Sequence, residues 1–251
     1  MATSLAVSVA SRQLLPKADC SPSDCEDSIA IDIPRLRFAI ADGATEGFDS
    51  RRWARYLTRA WVSPSSGTLD TFDFIDRVRA LGERLEEKWT GRQLPWYLEE
   101  KATGGAFAAF LGLQITPDWT WSAVALGDSC LIIERDRTVE QAFPISSADA
   151  FSSRPILVAS NPDKDAAKQV LCLGQGVCLS GDVFLLMSDA LACWYLGHAA
   201  SSRDLLGEFH SALGDTSAFS TLIERERTLR RLRNDDVAVV KLVLSTTGNG
   251  V

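Results

Sequence analysis

The sequence predicts an α+β layered sandwich: strand-like apolar runs gather at both ends of the chain, helical patterns fill the stretches between and after them, and the two do not alternate as a doubly wound sheet requires. Three of the runs end on a carboxylate and a fourth starts from a pair. FAIADG closes on Asp42 and Gly43, AVALGDS carries Asp128, VFLLMSDA carries Asp189, and NDDVAVV opens with Asp235 and Asp236. In antiparallel pairing the end of one strand adjoins the start of its neighbour, so these carboxylates can meet along one sheet edge.

Residues 6–10 open the chain as a strand, and SIAIDIPRLRFAIADG reads as a hairpin with Pro34 in its turn. The start of the first hairpin strand and the end of the second share an edge, which sets Glu26 and Asp27 against Asp42. Trp53, Leu57, Ala60 and Trp61 recur at helical spacing over 50–62, and Phe74, Val78, Leu81 and Leu85 mark a second helix over 69–89. Trp53, Trp61 and Trp89 on those faces read as core residues. A glycine-led apolar run at 103–116, TWSAVALGD and CLIIERD follow, the last two being strands joined by the GDS turn. Residues 143–165, rich in Ser, Pro, Asp and Asn, form an irregular surface excursion. Strand signals resume in VLCLGQGVCL and VFLLMSD. Helical patterns fill 191–232 with breaks near Gly197 and Gly214, and DVAVVKLVL is the last strand. The run ERERTLRRLR puts mixed charge on a solvated helix face. No internal repeat is present, and residues 1–251 read as one domain.

At 251 residues with 46% hydrophobic content, the chain can bury a large core. Its formal charge of −7 and pI near 5.0 oppose a nucleic-acid partner, which needs a basic face. The six cysteines lie scattered without a CxxC pair, and neither His198 nor His210 stands at zinc-finger spacing from them. The thiols therefore read as small apolar residues suited to a reducing cytosol, and the histidines as structural or surface groups. No apolar run is long enough to span a bilayer, and LAVSVA lacks the charged lead-in of a signal peptide, so the expectation is a cytoplasmic protein with no membrane partner.

Carboxylates packed closely stay ionised only beside an opposite charge, so an edge that collects four or five of them points to hard divalent cations and a metallohydrolase. All the candidate ligands are oxygens. That donor set favours magnesium or manganese over zinc.

The motifs, in this order, resemble those of the type 2C metal-dependent Ser/Thr protein phosphatases over about residues 24–244. CEDS is similar to the family's opening acidic pair, through Glu26 and Asp27. ADG matches its bridging aspartate and glycine, through Asp42 and Gly43. Residues 103–106 correspond loosely to its glycine-threonine segment, and GDS, SDA and NDD match at Asp128, Asp189 and Asp235. ADGATEGFDSRRWA, with SDALACW and RNDD, is most similar to a bacterial subgroup. The resemblance implies a four-layer α-β-β-α sandwich of two packed antiparallel sheets flanked by helices, with a binuclear Mn²⁺ or Mg²⁺ centre at one edge. It implies Asp42, Asp189 and Asp235 as catalytic residues. Asp42 would bridge both ions with the Gly43 carbonyl as a further ligand, Asp189 and Asp235 would complete one metal, Glu26 or Asp27 would hold the other, and Asp128 would serve a third, weaker position.

The implied activity is hydrolysis of phosphoserine or phosphothreonine in proteins by a metal-activated water, with the phosphoprotein product of a Ser/Thr kinase as partner. The alternative is a phosphatase-fold regulatory module that binds phosphoprotein or metal and turns over weakly. Departures from the pattern motivate it. Pro22 stands where many members carry a phosphate-gripping arginine, leaving Lys17, Arg51 or Arg52 to replace it, and Ala44 stands where eukaryotic members place a proton-donating histidine. Asp236 and Ala238 replace a common asparagine and threonine. The excursion at 143–165 lies where related phosphatases vary the segment beside the active site. Its deletion is expected to change peptide preference while small aryl phosphate hydrolysis stays similar, and unchanged preference in a peptide panel would remove the idea.

Overall fold

Period-two burial on both faces builds the molecule. In the strand Arg37–Gly43, Phe38 and Ile40 enter one apolar layer while Ala39 and Ala41 enter another, and all four are buried. A strand covered on both sides reads as a continuous apolar run, which is why the strand signals in this chain are strong. The computed structural model describes residues 4–63, 71–152, 154–161 and 171–247.

In chain order the elements begin with β1 (Ser4–Leu15), β2 (Ser28–Asp32), β3 (Arg37–Gly43), α1 (Ser50–Val62), α2 (Thr71–Glu87) and α3 (Trp96–Gly104). Then come β4 (Phe107–Ile115), β5 (Thr120–Leu126), β6 (Cys130–Arg135), β7 (Thr138–Phe143), β8 (Val158–Ala159), β9 (Cys172–Val177) and β10 (Val183–Met187). The chain closes with α4 (Asp189–His198), α5 (Arg203–Ala212), α6 (Thr216–Thr228) and β11 (Val237–Thr247). One sheet runs β1-β11-β10-β6-β7 and the other β2-β3-β4-β5-β9, with β8 on β4. Every pairing is antiparallel.

Between the sheets lie Phe38, Ile40, Leu111, Phe184, Leu186 and Val240, among others. The outer face of the first sheet packs through Leu185, Met187 and Val239 on α4 to α6, and that of the second through Ala39, Ala41 and Phe110 on α1 and α2. The result is the four-layer α-β-β-α sandwich that the sequence and its resemblance led us to expect. Helix α1 spans the residues its apolar spacing predicts.

Several elements differ from the sequence reading, each for a local reason. Strand β1 continues to Leu15 past a bulge between Val9 and Ser11, and its polar tail is accommodated because the Ser11 hydroxyl and the Gln13 amide both donate to the Leu213 carbonyl. Helix α3 and strand β7 carry no clear apolar period: Trp96 of α3 is 80% exposed, and β7 has no buried residue. The described part of the excursion includes β8 and a 3-10 turn at Ala148–Ala150, and residues 153 and 162–165 of it lie outside the described residues. The last helical stretch stops at Thr228, before Arg230 turns the chain with a positive φ. In the charged run that begins inside this helix, Glu226 is fully buried, accepting from the Trp194 indole and from Arg225 and Arg231, so that run is only partly a solvated face.

One close approach in the helix-sheet layer is testable. A Cβ on Gly112 would stand 2.5 Å from the ring of Trp61, whose indole is held by a 3.1 Å bond to the Leu113 carbonyl. Gly112→Ala is expected to destabilise the protein by about 1–3 kcal/mol through overpacking. Urea unfolding should show a lower midpoint at unchanged slope, and an unaltered midpoint would refute the packing account.

Candidate metal centre

Four carboxylates from four different connections line one cavity of about 310 Å³: Asp42, Asp128, Asp189 and Asp235. Asp42 ends β3, Asp128 sits in the turn from β5 to β6, Asp189 begins α4 directly after β10, and Asp235 precedes β11. The local backbone explains each placement. Ser28 pairs with Ala41, which sets Asp27 beside Asp42 across the hairpin. Gly43 passes so near the start of α1 that a Cβ would lie 2.9 Å from the Ser50 carbonyl group and 3.0 Å from the Glu26 carbonyl oxygen. Gly127 has φ +99° and abuts Ala109, so the turn that presents Asp128 needs a glycine. Ser152, Pro155 and Leu157 of the excursion form part of the same cavity wall.

The acidic pair divides its tasks. Asp27 is buried, and neither of its oxygens has a partner in good hydrogen-bond geometry. Glu26 accepts a 2.6 Å bond from the Thr45 hydroxyl and stands 3.9 Å from the Lys17 ammonium. Asp236 is spent on backbone: it accepts from the N–H groups of Lys17 at 2.8 Å and of Glu26 at 2.7 Å, tying the loop that carries the pair to the start of β11. This gives Asp236 a positioning role that the sequence did not disclose.

Burial first, then mutual repulsion, raises these carboxyls. Asp42 is held well above the ordinary aspartate range by desolvation and by Asp27, Asp189, Asp235 and Asp128 around it. Asp27 is raised by desolvation and by Asp236, with the Ser188 hydroxyl as partial compensation. Asp128 is pushed up to about 7 by burial and by Asp189, and Asp235 rises for the same two reasons. Against them stands Arg233, whose guanidinium contacts Asp189 and lies 3.1 Å from Asp235. Among the described residues, no group of three or more His, Cys, Asp or Glu side chains is arranged to hold a metal ion. The donor chemistry nevertheless fits one: hard oxygens, an unpartnered buried carboxylate and an excess of negative charge.

Solved structures repeat this architecture. The Mycobacterium tuberculosis serine/threonine phosphatase PstP/Ppp superposes with a TM-score of 0.63 at 17% identity, over 96% of this chain and 99% of that one. The S. agalactiae serine/threonine phosphatase gives 0.63 at 14% identity, over 95% of this chain and 99% of that one. The catalytic domain of PstP in complex with two manganese ions gives 0.61 at 17%, over 97% and 100%. This is the type 2C phosphatase fold. No protein-family model matches the chain, and no curated protein sequence does.

On a type 2C fold, the basic residues near the cavity are informative. Lys17 donates to the Thr45 hydroxyl at 3.2 Å, Arg51 donates to the Ser23 carbonyl, and Arg52 pairs with Asp49 at 2.8 Å while lying over the Trp89 ring. Of the described basic side chains, Arg233 lines the cavity. The sequence reading passed over it, although it stands two residues before Asp235 in RNDD. His210 contacts Glu134 and Tyr195 under the first sheet, and the His198 ring nitrogen Nδ1 is 2.7 Å from the Trp194 carbonyl, so both are structural. Trp89 is the exception among the expected core tryptophans. It lies just beyond α2 at the lip of a separate cavity of about 330 Å³, half-buried, with its indole bonded to Asp49.

The raised carboxyl of Asp128 has a measurable consequence. Its folded value of about 7 exceeds the unfolded value of about 4, so its favourable contribution is complete below the latter and is lost as pH rises through the former. In EDTA, Asp128→Asn is therefore expected to gain thermal stability relative to the native chain between about pH 5 and pH 8. A difference that does not change with pH would show that this carboxyl titrates normally.

Proposed function

We propose that this chain is a metal-dependent protein serine/threonine phosphatase belonging to the type 2C family, one domain over 1–251. The observation that carries the reading is the convergence of Asp42, Asp128, Asp189 and Asp235 on one cavity of a fold shared with such phosphatases.

The residues suited to hold two divalent ions are Asp42 and the Gly43 carbonyl at the centre, Asp189 and Asp235 on one side, and Asp27 or Glu26 on the other, with Asp128 available to a third, weaker position. When bound, Mn²⁺ or Mg²⁺ supplies charge neutralisation for the phosphoryl oxygens and acidifies water. The chain's own residues do the rest. Asp42 faces Asp27, Asp189, Asp235 and Asp128 at once, and Asp236 keeps the acidic pair in place through the Lys17 and Glu26 amides. The buried Cys130 thiol, pushed up to about 12 by burial, stays protonated at neutral pH and is no nucleophile. Ser152, Pro155 and Leu157 line the same cavity, which supports a role for the excursion in substrate choice.

The substrate class is a phosphorylated serine or threonine in a protein, the product of a Ser/Thr kinase. The net charge of −7 opposes a nucleic-acid substrate. Cysteines without disulfides suit a cytoplasmic setting, and among the described residues no helix is long and apolar enough to cross a membrane.

A second reading, a regulatory module with weak turnover, is favoured by one observation: Arg233 engages two of the carboxylates that the first reading assigns to metal. Phosphate release from a phosphothreonine peptide separates the two. The first reading expects release that depends on Mn²⁺ and falls by about a hundredfold or more in Asp42→Asn. Full activity in that variant would dismiss the assigned centre, and tight Mn²⁺ binding by calorimetry without hydrolysis of any phosphopeptide would establish the module.

A further inference from the structure

The cation in this cluster is supplied by the chain itself. Arg233 Nη2 reaches Asp189 and Asp235 together, joining the start of α4 to the turn before β11. The other oxygen of Asp189 accepts from the Ala190 amide at the first turn of α4, so each of its oxygens has a donor in this arrangement. The guanidinium also feels Asp128, and its side chain remains about half exposed at 53%. Among the described residues, its ion pairs are to Asp189 and Asp235. On its other side Arg233 lines a second cavity of about 190 Å³, together with Arg231, His198 and Cys193, so leaving the carboxylates requires no backbone movement. Its neighbour Arg231 has no such freedom, being bound through two nitrogens to the buried Glu226 at 2.7 and 2.8 Å.

We propose that Arg233 is a resident counter-cation that competes with divalent metal for Asp189 and Asp235. This rests on the reading that the cluster binds divalent ions and adds a control to it. A guanidinium and a metal cannot hold the same carboxylate lone pairs, so each weakens the other, and the affinity measured for metal is the intrinsic affinity reduced by the fraction of molecules in which the carboxylates are free. Arg233 acts here as a positioning residue. It keeps two like charges close in the metal-free chain, at the expense of the metal step that uses them. The arrangement sets a threshold of free divalent ion below which the side of the centre built on Asp189 and Asp235 stays occupied by arginine.

Calorimetric titration of MnCl₂ into the native protein, Arg233→Gln and Arg233→Lys tests this without reference to activity. One Mn²⁺ step is expected to tighten roughly three- to tenfold in Arg233→Gln, the order for releasing a half-exposed ion pair, with the charge-retaining Arg233→Lys in between. Thermal unfolding in EDTA verifies that the variants are folded. Added Mn²⁺ should then raise Tm more in Arg233→Gln than in the native chain, since ligand stabilisation grows with affinity. Equal or weaker Mn²⁺ binding by Arg233→Gln, with the native chain still binding, would overturn the competition and leave the metal centre standing. Absence of Mn²⁺ binding in all three proteins would overturn both.

Discussion

Charge in this protein is confined by the burial of both faces of both sheets. Three apolar layers occupy the sandwich, and an uncompensated carboxylate within any of them would carry a heavy desolvation penalty. Strand ends and the connections beyond them are where ionised groups can reach water or a counter-ion. The antiparallel register then decides which ends meet. With Ser28 against Ala41 in one sheet and Met187 against Val239 in the other, the carboxylates at the end of β3, after β10 and before β2 and β11 come out at a common edge. The site is a consequence of how the layers close.

That edge is electrostatically unfavourable by itself. Raised carboxyls at Asp27, Asp42, Asp128 and Asp235 mean that the folded chain works against its own ionisation at neutral pH. Such concentrated strain is a familiar property of functional sites, where stability is given up for a preorganised binding geometry. The remainder of the fold supplies the excess. Rings of Trp61, Phe74 and Phe110 pack between α1, α2 and the second sheet, while Tyr195, Phe209 and Phe219 pack beneath the first.

Compensation at the edge is partial and specific. Arg233 neutralises two carboxylates and Lys17 approaches a third, while Asp27 keeps two unpartnered buried oxygens. The imbalance is what makes a divalent cation chemically apt there, and under the proposed competition the position of Arg233 would make its entry conditional. Both statements follow from one cluster. They differ in which side chains they depend on.

The amino-acid sequence by itself determined the sandwich class, helix α1, the hairpin that opposes Asp27 to Asp42, and the four strand-end carboxylates, because apolar period and turn chemistry are local properties read over a few residues. Strand β7 and helix α3 escaped it, since half-exposed elements leave only a weak periodic trace. Tertiary structure alone decided that Asp27 and not Glu26 turns inward, that Asp236 serves backbone amides 210 and 219 positions away along the chain, that Glu226 is buried, and that Arg233 lies between Asp189 and Asp235. Such choices depend on side-chain direction and on partners brought together from distant segments. No local pattern encodes them.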